Sequence, residues 1–488
     1  MSFATKAGIF VGAAAFSGMA VAGTGDASND LQSRLEAAEA KIAEMSAQQN
    51  SDWLTEQRSE QIRGIVQDVL ADADTRASLQ GNGATSGYND GFFVQSADGK
   101  WSVKINGLFQ ERWNLGHQSG GGAGFNPVDP GGNYNTAFGF ETTRAALNFS
   151  GELAGIAFYN ARLDWSPYNG NTNVYNFNAN TGAGLSNDPL EWAYGGWHVN
   201  DSMSVQIGRQ KFDVMRGFMV NAEDQQAIER SSQTYYWNTS AITNGIKLVG
   251  TGDQMRWNAM FSNGSGSALG GNAGNNAWNA NAHGWAVTGR LGILLQGDWS
   301  QFDRIGSSKG ETDGMLLGIG AGYLRNQNQS EDNWIVSADL SYEADGWNAY
   351  GAVTAGNNNN TPGVAWSPEA QDGNDGTSMG WEVGAGCYLA EDTELYCRWQ
   401  WLSPGVAAGW GGSDGPSSKL NIATIGVNHY IAGPNTKLSA DWSWCFTDPS
   451  LANTIGGGAW GYTGWWDSAA GQTTGSLWLL RTQLQISF

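Results

Sequence analysis

The sequence predicts an all-β protein: a sixteen-stranded antiparallel transmembrane β-barrel preceded by an N-terminal α-helical coiled coil. Three observations predict it. From Trp101 onward apolar residues recur at every second position, in runs of about ten, the length a tilted strand needs to cross a bilayer. Gly, Asn and Asp fill the breaks, and those breaks alternate between short and long. Of the 488 residues 70 are Gly, and aromatic residues reach 12% against only 15% charged.

The same arithmetic removes other classes. After the N-terminus no stretch contains 18 consecutive apolar residues, which excludes a helical membrane protein. A net charge of −21 leaves no basic footprint for nucleic acid. Cys387, Cys397 and Cys445 cannot frame a disulfide scaffold, and the scattered His117, His198, His283 and His429 give no zinc spacing. No cofactor and no metal are expected, apart from divalent cations on acidic loops such as that carrying Asp372 and Asp375.

The N-terminus divides into three segments. Residues 1–22 read as a secretory signal: Lys6, then an apolar stretch, then small residues at Ala20-Val21-Ala22. Residues 23–80 form the expected periplasmic helical segment. Leu31, Leu35, Ala38, Ile42 and Met45 alternate by four and three, a short seam that is marginal unless several chains share it. A lone solvated helix is the other reading. Residues 81–91 are the expected linker, and the barrel spans 92–488.

The first strand is WSVKINGLFQERW (Trp101–Trp113), and further candidates fall near 138–153, 156–165, 192–199, 203–209, 245–250, 255–262 and 284–295. The rest lie near 315–324, 333–343, 346–354, 380–389, 394–402, 420–430, 436–446 and 477–488. Tight turns such as Val199-Asn200-Asp201-Ser202 and Gly433-Pro434-Asn435 alternate with long polar loops. Residues 296–314 break the pattern, being long on the short side. Each strand has two faces. In Glu394–Leu402, Leu395, Cys397, Trp399 and Trp401 face lipid, while Glu394, Tyr396, Arg398 and Gln400 face inward. An Arg on the lipid face of a barrel costs roughly 2–4 kcal/mol, so the charges belong in a wet lumen. Alternation places Lys104, Arg112, Arg144, Arg162, Arg256, Arg290, Arg398, Lys437 and Arg481 there, with the acids Asp164, Asp339, Glu343, Glu382, Glu394 and Asp441. Such cations form an anion path, or each pairs with a neighbouring carboxylate and fills the barrel.

The terminal strand RTQLQISF ends on Phe488, like the strand recognised during outer-membrane barrel assembly. IGRQKF (from Ile207) and NAEDQQAIERS (from Asn221) follow a strand ending LDW (Leu163–Trp165) and EWAYGGW (Glu191–Trp197). With the hairpins at Asn244–Gly264, Gly380–Leu402 and Ile425–Trp442, these runs resemble the phosphate-selective porin O/P family. The resemblance covers roughly residues 91–488. It implies a homotrimeric outer-membrane porin for small hydrophilic solutes and ions, with a preference for anions or phosphate as one option, whose inward-folded third loop narrows the channel. Here that loop is 210–244, where Lys211, Arg216 and Arg230 oppose Asp213, Glu223, Asp224 and Glu229. Its Tyr235, Tyr236 and Trp237 stack sugars or pack the loop on the wall.

Other implied partners are outer-membrane lipid, lipopolysaccharide and, through the coiled coil, cell-wall material. A plugged structural or adhesive barrel is the alternative function, and a lipase-like barrel enzyme a minor one. Gly411-Gly412-Ser413-Asp414-Gly415 matches GxSxG, but no helix follows it, so no catalytic residue is assigned. Gly318-Ile319-Gly320-Ala321-Gly322 lies within a strand and serves close backbone packing. Cys387 and Cys397 share one face, as a cross-strand disulfide or as two small lipid-facing residues.

Overall fold

A computed structural model describes residues 83–118, 136–165, 189–238, 242–263, 284–310, 313–326, 331–358, 376–403, 419–447 and 477–488, with isolated helical positions between Glu36 and Glu44 and at Arg63. The signal segment, most of the heptad seam, the GxSxG run, Asp372 and Asp375 lie outside the described residues. The chain divides into two units, Met1–Gly83 and Ala84–Phe488.

The second unit opens with a hairpin of β1 (Thr85–Tyr88) and β2 (Phe92–Gln95). β3 (Ser102–Gln118), β4 (Thr136–Leu153), β5 (Ala157–Asp164), β6 (Leu190–Asn200), β7 (Met203–Lys211) and β8 (Ile242–Thr251) follow. Next come β9 (Met255–Ser262), β10 (Gly284–Gln296), β11 (Gly314–Asn326), β12 (Glu331–Ala344) and β13 (Trp347–Asn358). β14 (Gly376–Ala390), β15 (Thr393–Ser403), β16 (Leu420–Tyr430), β17 (Thr436–Cys445) and β18 (Leu477–Ser487) complete the set. From β3 each strand pairs antiparallel with the next, and β18 returns to β3, closing a barrel of sixteen strands. Closure leaves no unpaired backbone edge in hydrocarbon. The expected linker at 81–91 differs: Thr85–Tyr88 is a strand, because β2 extends the sheet beyond β3 and offers β1 a partner.

Side-chain exposure follows the period of two. On β15 Glu394, Tyr396, Gln400 and Leu402 are buried, while Cys397 and Trp399 are exposed; on β18 Leu477, Leu479, Arg481, Gln483 and Gln485 are buried. Phe140, Val287, Ile319, Val383 and Trp442 stay exposed on the outer face. That is the inside-out pattern a bilayer demands, apolar outward and polar inward. Cys387 and Cys397 are free thiols on this outer face, opposite Leu395 and Ala385 respectively.

Two segments occupy the interior. One is the third loop, 212–241, described as far as Asn238, with short helices at Arg216–Met219 and Ser232–Asn238. The other is the long connection between β10 and β11, which carries a 3-10 turn at Trp299–Phe302. It sits in the short-turn mouth because its groups have partners across the lumen. Ser307 donates to Glu394 and Asn348, and Ser308 donates to Glu343. The expected glycine packing in β11 has a specific cause. A Cβ on Gly320 would lie 2.0 Å from the Val214 carbonyl oxygen, and one on Gly318 would lie 1.8 Å from the Arg290 guanidinium.

Gly320→Ala therefore forces the third loop off β11. The expected cost is about 1–3 kcal/mol, the usual range for overpacking. A lowered thermal midpoint in detergent, against an unchanged one for the open-space control Gly139→Ala, checks it.

Candidate functional site

The third loop is anchored along one arc of the wall. Glu229 is buried between Arg112 at 3.0 Å and Arg144 at 2.8 Å, and it also accepts the Tyr235 hydroxyl. Burial opposes ionisation of Glu229, but Arg144 and Arg112 overcome it and hold the carboxyl far below its usual range. Gln226 donates to Asn348 and Glu394, and Gln233 donates to Glu382. Asn428 and Lys437 donate to the Gln226 and Gln225 carbonyls, and Arg398 to that of Glu229. Trp237 is fully buried and the Tyr236 hydroxyl meets Ser378, so these two aromatics pack the loop on the wall.

These contacts decide the role of most cations that alternation places inside. Arg481 clamps Asp441 with two bonds of 2.8 and 2.6 Å, and Arg290 pairs with Asp339 at 2.7 Å. Arg162 lies 3.0 Å from Glu191 and 2.9 Å from Glu223. Lys104 lies 3.6 Å from Asp90. Asp164 is buried and accepts from the Ala145 amide. Arg216 and Arg230, expected at the constriction, turn into backbone. Arg216 donates to the Phe302 and Arg304 carbonyls, stitching the third loop to the β10–β11 segment. Arg230 donates to Gly217 and Val220 within its own loop. Alternation identifies a lumenal residue but not whether a second segment claims it.

What remains open is a cavity of about 720 Å³ on the other arc, lined from β3 through β11 and by the edge of the third loop. Lys211 and Arg256 project into it. Lys211 donates to Asn221 at 2.8 Å and sits 4.9 Å from the centre of the Trp192 ring. The Arg256 guanidinium stacks 4.5 Å over Trp299. Among the described residues neither has a carboxylate within salt-bridge range. Lys247, absent from the sequence expectation, also lines the cavity and pairs with Asp213 at 2.6 Å; its inward place follows from the outward Ile246 and Leu248 beside it. Asp224 lines the cavity as well. Burial and the neighbouring Glu223 push its carboxyl up to about 7, against the pull of Lys437 and Arg304.

The profile of the family "Phosphate-selective porin O and P" matches residues 119–367, just over half of the 488-residue chain. The chain belongs to that family. It is a passive outer-membrane channel, and the closed barrel with its inward-folded third loop is the architecture through which such a porin conducts. Similar solved structures include an anion-selective porin from Comamonas acidovorans, at 12% identity and TM-score 0.49, covering 80% of this chain and 100% of that one. The DcaP channel of Acinetobacter baumannii is similar at 10% identity and TM-score 0.47, covering 81% and 99%. Salmonella typhi OmpF in complex with daunomycin is similar at 12% and 0.47, covering 83% and 100%. No curated protein matches the chain significantly.

Two measurements test the site of this porin. Arg144→Ala leaves Glu229 buried beside a single arginine, and breaking such a buried pair costs about 3–5 kcal/mol. The porin should lose that much stability in detergent unfolding, and single channels should become noisier as the loop loosens. Asp224 loses its charge as the pH falls through about 7. The chloride-to-potassium permeability ratio should therefore rise from pH 8 to pH 6, and Asp224→Asn should reduce that rise.

Proposed function

We propose that the porin is a homotrimer whose open cavity favours small anions over cations. One observation carries this reading. Of the six cations that line the cavity, Arg162, Lys247 and Arg290 pair with carboxylates and Arg216 with backbone carbonyls, which leaves Lys211 and Arg256 to meet a solute. Among the acids there, Asp224 is about half protonated at neutral pH, which weakens its pull on cations. Lys211 and Arg256 keep donors free of carboxylates among the described residues, so a passing anion can exchange water for charge-assisted hydrogen bonds there. Two such cations are too few for a dense phosphate trap. The expected solutes are therefore small hydrophilic anions in general, phosphate among them without privilege.

The trimer is supported by the heptad spacing of Leu31–Met45, a seam that several chains must share to be stable. The segment 23–80 belongs in the periplasm on this reading, within reach of cell-wall material, and the barrel rim meets lipopolysaccharide. The amount of lumen filled by the third loop and the β10–β11 segment favours one rival, a plugged structural or adhesive barrel.

Reversal potentials in asymmetric KCl across a planar bilayer separate these readings. The porin should conduct in threefold steps with chloride preferred, whereas a plugged barrel gives negligible current. Arg256→Ala and Lys211→Ala should each reduce the chloride preference. A preference that survives the double variant overturns the assignment. Low-millimolar phosphate should leave the chloride current unblocked.

A further inference from the structure

The stretch that the sequence offers as a linker reaches the pore. β2 pairs with β3 from Ser102 to Ile105, just beyond Leu108, where the pairing of β18 ends. Tyr88 and Phe92, on either side of the hairpin turn, are fixed to the C-terminal end of the barrel. Phe92 meets Tyr88 edge-on at 5.4 Å and the Phe488 ring at 5.8 Å, and Asn435 donates to the Tyr88 hydroxyl. The turn itself, Asn89-Asp90-Gly91, bends inward. Its partners Lys104 and Asn106 share the inward register of the buried Gln110 and Arg112 on β3. Asp90 thereby lines the open cavity, beside Asn106, Asn435 and Phe488.

The carboxylate of Asp90 is not what holds the turn. The anchor is its carbonyl oxygen, which accepts from the Asn106 amide. The carboxylate lies 3.6 Å from Lys104 yet is 83% exposed, and so open an ion pair contributes little to stability. The backbone enters the left-handed region to place it, with φ 49° at Asp90, a conformation most side chains avoid. A Cβ on Gly91 would lie 2.5 Å from the Asn106 amide nitrogen and 2.8 Å from the Lys104 stem, so the turn has no slack against β3. Its charge is felt across the mouth. Burial and Glu223 push the Asp224 carboxyl up, and Asp90 adds to that push.

We propose that Asp90 is a specificity-determining residue of the channel. The hairpin tip holds one fixed negative charge in the short-turn mouth, where it retards the anions that Lys211 and Arg256 attract. A fixed charge at a mouth changes the local concentration of mobile ions within about a Debye length, so it acts without binding anything. The inference takes only conduction from the reading above. It holds whichever ion the interior prefers, because removing the charge moves the preference in one direction from any starting value.

Reversal potentials of the full-length porin in KCl gradients test the assignment. Asp90→Asn keeps a side chain that tolerates the left-handed turn and removes only the charge. In dilute KCl the chloride-to-potassium permeability ratio should rise about twofold, the effect of one unit charge about 10 Å away in water. Near 1 M KCl, with the Debye length cut to about 3 Å, that rise should disappear. Asp98→Asn removes an exposed charge away from the cavity lining and should leave the ratio unchanged. In an Asn106→Ala background, which frees the tip, Asp90→Asn should change the ratio less than in the wild type. A second measurement uses Asp90→Cys in a Cys387→Ala, Cys397→Ala background, modified after folding with an anionic or a cationic methanethiosulfonate. The two labels should move the ratio in opposite directions. A conducting porin whose ratio ignores Asp90→Asn and both labels overturns this inference alone, as does a shift that survives 1 M KCl. A wild type without current overturns it together with the channel reading.

Discussion

The buried carboxylate of Glu229, gripped by Arg112 and Arg144, is the interaction on which the interior depends. The barrel wall is a closed sheet in which every strand is paired on both sides. The third loop has no sheet to join, so its position must come from side chains. Two guanidinium groups from adjacent strands supply a fixed cationic socket, and a loop carboxylate that leaves it would strand two buried cations. Once Glu229 is seated, the flanking glutamines and serines fall within reach of Asn348, Glu382, Glu394 and Gln400.

That anchorage divides the lumen unequally. The arc from β13 through β18 is consumed by the third loop, which also takes Arg112 and Arg144 from β3 and β4, and its cations are neutralised by carboxylates or engaged by backbone. The β10–β11 segment fills the short-turn mouth beside it, tied to the loop through Arg216 and through the Ile305 amide on the Asp224 carbonyl. On the reading proposed above, solutes take the opposite arc, where Lys211 and Arg256 have no carboxylate in salt-bridge range among the described residues. Selectivity in this porin is thus a matter of which charges the loops leave unspent. The overall −21, spread over all 488 residues, is a poor guide to it.

The outer surface obeys the complementary constraint. Hydrocarbon tolerates Trp, Leu, Ile and small residues, and nearly every outward position conforms. Where the band carries a carboxylate, as at Glu111, a hydroxyl on the neighbouring strand, that of Thr142, donates to it. The same chemistry that makes Arg112 lumenal makes its sequence neighbour conspicuous.

Period-two alternation, turn spacing and strand length were enough in the sequence to set the barrel, its sixteen strands and the lumenal face of each, since the pleat and the bilayer act residue by residue. The strand Thr85–Tyr88 inside the expected linker 81–91 is not legible in the sequence, because four residues pairing with an equally short strand leave no periodic signal. The cationic ladder from Lys104 to Arg481 was legible as lumenal, yet its function was not. Pairing between Arg481 and Asp441, forty residues apart, or between Arg144 and Glu229 depends on which strands become neighbours and where a loop comes to rest. Arg216 and Arg230 looked like pore charges and became loop fasteners for the same reason. Sequence determined by itself which faces are wet and which are oily, a local property of each strand. Only the tertiary structure decided which wet charges remain available to a solute, because that depends on distances between residues far apart in the chain.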